Sequence, residues 1–186
     1  MKFKISILLI TFGTLMNCGS SKEKLSSKER SENLEQIRSA LESKSFQFNA
    51  EFAFPLQSND VIMVTNELMR GSQNLGGQVN LSGNYDFFKI NGDTTEGKLS
   101  YFGEMRNVGY NDIADNSIIF SGVPINYSVE EKKNGEKIII QFDAKNQVET
   151  FRIRMVVFNN YDSNVIIYGS NRTAIRYTGN FALLSE

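Results

Sequence analysis

Tyr101-Phe102-Gly103 sets two aromatic rings beside a glycine at the end of an apolar stretch. Rings at a strand end are what a ligand-stacking platform needs, and the same residues serve core packing followed by a turn through the glycine. Arg172 stands just before the final apolar stretch, and its planar fork of donors grips a carboxylate or a phosphate. Inside a protein that fork equally bonds loop carbonyls or one of the chain's own acids. Tyr177, within that last stretch, joins Tyr101, Phe102 and Arg172 as a candidate ligand contact. Arg152 and Arg154 alternate with Phe151, Ile153 and Met155, so both arginines share one face. That face is either simply solvated or a small basic patch for phosphate or lipid A headgroups. The stretch Asn111-Asp112-Ile113-Ala114-Asp115-Asn116 gathers oxygen atoms that calcium accepts, but its spacing is not that of an EF-hand loop and side-chain-to-backbone turns explain it. No metal site is assigned to it.

The inventory excludes several chemistries. The 186 residues include no His and a single Cys, so there is no Ser-His-Asp or Cys-His machinery, no imidazole ligand and no disulfide within the chain. Acids are numerous enough for a two-carboxylate glycosidase, yet nothing in the sequence pairs any two of them. No glycine-rich phosphate loop or dinucleotide fingerprint occurs, so no cofactor is expected. With 20 Lys+Arg against 21 Asp+Glu, the formal charge of −1 gives no electrostatic case for nucleic acid.

The lone Cys has a telling position. Lys2 and Lys4 form a short basic region, Ile5 to Met16 an apolar run too short to span a bilayer, and Cys18 follows. Leu15-Met16-Asn17-Cys18 resembles the lipobox of bacterial lipoproteins, although Asn17 replaces the usual small residue. The resemblance implies cleavage before Cys18 and lipidation of its thiol. Residues 1–17 are then the signal peptide, 18–27 the lipidated Cys and a flexible tether, and the membrane a partner through the N-terminal anchor.

The elements behind the tether follow from patterning. Ser26 and Glu29 have capping-box spacing, and Leu34, Ile37 and Leu41 make one narrow apolar stripe, which predicts an amphipathic helix over 28–44. From Ser45 the period changes to two. Phe46, Phe48, Ala50, Phe52 and Phe54 alternate with other residues up to Pro55, predicting a half-buried strand with all five on one face. Further strands are expected over 61–69, 85–90, 98–102, 117–121, 125–132, 137–142, 150–158, 165–168 and 174–177. Asn134-Gly135 is the strongest hairpin signal, with turns also at Asn91-Gly92-Asp93 and over 159–162. The fold class is mainly β: an antiparallel sandwich or barrel-like domain over 45–186 with one N-terminal α-helix.

The order of motifs from Phe46 onward resembles the domain of unknown function 4251 family of bacterial, mainly Bacteroidetes, envelope lipoproteins. It rests on Phe46-Gln47-Phe48-Asn49-Ala50 with Pro55, Ile90-Asn91-Gly92-Asp93, Leu99-Ser100-Tyr101-Phe102-Gly103, Val129-Glu130-Glu131-Lys132-Lys133 and the closing run Ser170 to Gly179. Ser100 stands where the family usually has Pro. The resemblance implies a β-rich, lipid-anchored cell-envelope protein, at the outer membrane facing the periplasm, and no particular activity. Asp93-Thr94-Thr95 also resembles a Bacteroidetes O-glycosylation acceptor, which makes Thr94 a candidate glycosylation site. The leading expectation is a non-enzymatic domain that binds an envelope protein, a glycan or a lipid. A carboxylate-dependent envelope hydrolase would require two convergent acids in a cleft, and a carrier of apolar ligands or lipid would require a continuous apolar cavity.

Overall fold

A reciprocal pair of hydrogen bonds opens the first element. Ser26 Oγ accepts from the Glu29 amide at 3.2 Å while the Glu29 carboxylate accepts from the Ser26 amide at 3.4 Å, and the helix α1 (Ser27–Glu42) runs from this capping box. The computed structural model describes residues 26–55, 77–106, 117–132 and 135–184. The expectations for Cys18 and the signal segment, for a strand over 61–69, for the oxygen-rich stretch 111–116 and for Asn134 lie outside those residues. Ile37, Ala40 and Leu41 form the buried face of α1. Lys44 at φ 51° turns the chain out of the helix and into the sheet.

The strands are β1 (Ser45–Pro55), β2 (Val79–Asn80), β3 (Phe87–Asn91), β4 (Thr94–Leu99), β5 (Ile118–Gly122), β6 (Ile125–Lys132), β7 (Lys137–Lys145), β8 (Thr150–Phe158), β9 (Asp162–Gly169) and β10 (Ile175–Leu183). They form a single antiparallel sheet in the order β5-β4-β3-β1-β10-β9-β8-β7-β6, with β2 paired to β1 off this path. This order forces the sheet to curl. The strands β5 and β6 lie at opposite edges, yet only Val123 and Pro124 separate them, and strict alternation makes both run in the same direction. One kinked length of chain therefore borders β4 with its first part and β7 with its second. Asn146, just past β7, donates to the Ile119 carbonyl of β5 at 2.9 Å across this seam. The result is a half-barrel, one curled sheet rather than two facing sheets.

The concave face holds the core. Phe46 and Phe48 on β1, Phe88 on β3, Phe120 on β5, Phe142 on β7, Phe151 on β8 and Tyr177 on β10 are all buried there. Phe88 and Phe142 come from strands far apart in the sheet order, yet their rings meet edge to face at 5.6 Å. Side chains from opposite walls thus meet across the lumen, each buried Phe contributing about 1.5–3 kcal/mol. At one end α1 covers the rim: Asn33 Nδ2 donates to the Asn159 carbonyl between β8 and β9 at 3.0 Å, and Arg38 Nη2 pairs with Glu131 of β6 at 2.7 Å.

Two sequence expectations need correction. Phe52 and Phe54 do not share the face of Phe46, Phe48 and Ala50, because the pairing of β1 with β10 shifts between Ala50 and Phe52. This bulge moves Ala53 into the core, opposite Tyr177, and turns Phe52 and Phe54 to the convex side. Gly179 faces Ala50 at the bulge, where a Cβ would strike the Asn49 carbonyl oxygen. The strand expected over 98–102 instead ends at Leu99 and begins at Thr94, since the hairpin turn after Asn91 already starts the pairing of β3 with β4.

Candidate functional site

The end of the half-barrel away from α1 collects most of the residues singled out in the sequence. Tyr101 and Gly103 follow β4, while Arg172 and Thr173 sit between β9 and β10. Backbone bonds bind the two segments together: the Arg106 amide donates to the Asn171 carbonyl at 2.7 Å and the Thr173 amide to the Glu104 carbonyl at 2.9 Å. Gly103 has no positive φ and is not the turn glycine its sequence position suggests. It allows close approach instead, because a Cβ there would meet Thr173 Oγ1 and the Tyr101 hydroxyl.

Arg172 is buried and its fork is used internally. Its Nε donates to both Glu149 oxygens, at 3.1 and 2.9 Å, and its Nη2 lies 2.8 Å from Glu149 Oε2. The guanidinium sits 4.6 Å from the Tyr101 ring centre and 5.5 Å from that of Phe151. The second segment of backbone also converges on Glu149, whose Oε1 accepts from the Asn171 amide at 3.1 Å. The Tyr101 hydroxyl lies 2.8 Å from Thr173 Oγ1 and 2.9 Å from the carbonyls of both Thr173 and Glu104. Burial raises its pKa.

A second buried polar group stands on the same side of the core. Asp86 accepts from both the amide and the hydroxyl of Ser100, the latter at 3.2 Å, and Tyr177 donates to the Ser100 carbonyl at 2.9 Å. Burial pushes the Tyr177 phenol strongly upward, and the nearby Asp86 charge adds to the effect. Among the described residues no buried side-chain nitrogen or oxygen lacks a partner, and no cluster of acidic or Cys side chains could hold a metal ion.

Of the four candidate ligand contacts, the structure brings Tyr101 and Arg172 into direct contact and links Tyr177 to them through Ser100, next to Tyr101. Only Phe102 faces solvent appreciably, at 38% exposure. The platform face of Tyr101 is therefore occupied by Arg172, and the anion grip of Arg172 by Glu149. Thr94 stands exposed at the β3–β4 hairpin, with its hydroxyl on the Asn91 carbonyl at 2.9 Å. Arg152 pairs with Asp143 at 3.2 Å, so the two arginines of β8 differ in their surroundings. Glu149 and Asp86 were not singled out in the sequence. A buried arginine demands an acid, but nothing local distinguishes Glu149 from the chain's other carboxylates.

A family model described as Domain of unknown function (DUF4251) matches residues 28–181. The crystal structure of a DUF4251 family protein from Bacteroides eggerthii DSM 20697 has a similar fold, with a TM-score of 0.57 and 13% sequence identity over 81% of this chain and 87% of that one. No curated protein matches the sequence. No helix among the described residues is long and apolar enough to cross a membrane.

Proposed function

The chain belongs to the DUF4251 family, and we propose that it acts as a lipid-anchored, non-enzymatic binding module of the cell envelope, held at Cys18 and recognising an envelope protein, a glycan or a lipid from its outer surface. The observation that carries this reading is the internal pairing of Arg172 with Glu149. The most reactive-looking residues of the sequence motifs are used to lock two loops to the sheet, which makes them scaffold. A hydrolase would need two acids converging on open space, whereas Glu149 is held by Arg172 and Asp86 by Ser100. A lipid carrier would need the lumen, where Phe88 and Phe142 meet. Recognition then falls to exposed residues such as Phe102 and Val148, the latter 74% exposed beside the buried pair. The outer membrane, facing the periplasm, is the location we infer for an anchor at Cys18, since Gly19, Ser20 and Ser21 behind it include no acidic cluster of the kind that marks surface export.

Feeding cells an alkyne-tagged fatty acid tests the anchor: the wild-type chain should be labelled and Cys18→Ala should not. Unlabelled wild type would overturn the anchor. Photo-crosslinking from positions 102 and 148 in intact envelopes should capture a discrete partner, and turnover of an ester or glycoside by the purified domain would overturn the non-enzymatic part.

A further inference from the structure

The bulge in β1 builds a surface that the sequence pattern hides. Because Phe54 is turned outward, it stands opposite Arg176 of β10, which stands opposite Ile166 of β9, which stands opposite Arg154 of β8. These four side chains form one cross-strand row on the convex face, about 14 Å from end to end. Phe52 and Val156 lie on the same face one row further along. The Arg176 guanidinium lies 4.5 Å from the Phe54 ring centre. Among the described residues no carboxylate pairs with Arg154 or Arg176, whereas Arg152 is neutralised by Asp143. The two arginines thus present unneutralised charge to solvent on a chain whose total charge is −1.

We propose that this ledge rests on anionic phospholipid headgroups of the membrane that holds the protein. Cations on either side of an aliphatic residue, flanked by phenyl rings, match a surface of phosphates with hydrocarbon just beneath it. The length of the tether argues for this occupant. The eight peptide units from Cys18 to Ser26 span at most about 29 Å, so an anchor at Cys18 keeps the domain within one domain diameter of the bilayer. The choice of a lipid surface rests on the anchor reading above. Contact of the ledge with headgroups would supplement the acyl chains and orient the half-barrel on the bilayer.

The test uses a chain from Lys22 to Glu186, which lacks the anchor and retains every residue of the core cluster, from Ile37 to Phe181. In flotation it should bind vesicles of phosphatidylglycerol and phosphatidylethanolamine, lose binding as salt rises, and ignore vesicles of phosphatidylcholine. Arg154→Gln with Arg176→Gln should lower the partition roughly thirtyfold, since each arginine near an anionic surface contributes about one factor of five. Unchanged thermal melting identifies that loss as one of binding rather than folding, and Phe54→Ser gives a second variant that leaves both charges in place and should also weaken binding. Equal binding to both vesicle types, or wild-type partition by the double arginine variant, would overturn the ledge. Fatty-acid labelling of Cys18 without vesicle binding overturns the ledge alone. Vesicle binding by an unlabelled chain overturns the anchor and supports the ledge.

Discussion

Arg172 and Glu149, 23 residues apart in sequence, form an ion pair buried on both sides, with side-chain exposures of 6% and 2%. Such a pair is weak evidence of stability by itself, but removing one partner strands the other charge in the core. Glu149→Gln should therefore cost about 3–5 kcal/mol, read as a fall in the urea midpoint at unchanged slope. Glu149→Leu with Arg172→Met should recover part of that loss, because the uncompensated charge is gone while the Asn171 amide still lacks its acceptor. A single variant as stable as wild type would mean that the loops do not depend on the pair.

The contact of Phe88 with Phe142 across the lumen separates a filled barrel from a carrier. Phe142→Ala should cost about 3–5 kcal/mol and leave an apolar cavity. Wild type should not enhance the fluorescence of a fatty-acid probe such as cis-parinaric acid, while the variant, if it stays folded, should bind small apolar solutes such as xenon. Stoichiometric uptake of the fatty-acid probe by wild type would return the carrier reading to first place.

The fold class was legible from alternation and turn chemistry because those signals are local. The capping box at Ser26 and Glu29 forms, and β6 and β8 fall on the expected residues. What was not legible depends on pairing between distant strands. A reader of β1 alone sees Phe46 to Phe54 as one face, because the bulge is imposed by the register with β10 and made room for by Gly179, more than a hundred residues away. The closure of the sheet was hidden for a similar reason. Val123-Pro124 looks like an ordinary hairpin connection, and only the strand order shows that it joins opposite edges. At the candidate site, Tyr101 and Arg172 were visible as residue types, but their mutual contact and the acid beneath them belong to the tertiary fold.

That dependence on Gly179 is itself testable. A methyl group there collides with the Asn49 carbonyl, which is backbone and cannot swing away. Gly179→Ala should destabilise by about 1–3 kcal/mol, either by straining β1 and β10 or by shifting their register. A register shift would also carry Phe54 away from Arg176, so the variant should lose vesicle binding together with stability. Gly179→Ala with wild-type melting and wild-type vesicle binding would show that the bulge does not need a glycine opposite it.

Tyr127 on β6 provides the last expectation, at alkaline pH. Burial pushes its phenol up to about 12, with its hydroxyl 3.5 Å from the Leu41 carbonyl of α1 and the Lys44 amine 5.7 Å from its ring centre. The unfolded chain releases the same proton near pH 10. Between about 10 and 12 the folded state therefore binds more protons than the unfolded state, and stability must fall as pH rises through that window. The contribution is complete below pH 10. Tyr161, Tyr101 and Tyr177 are raised by burial as well and steepen the fall. Denaturation midpoints measured from pH 9 to 11.5 should decline, and Tyr127→Phe should decline less steeply than wild type. An equally steep decline in the variant would place the burden on the other tyrosines and leave the packing of α1 against β6 without a titrating group.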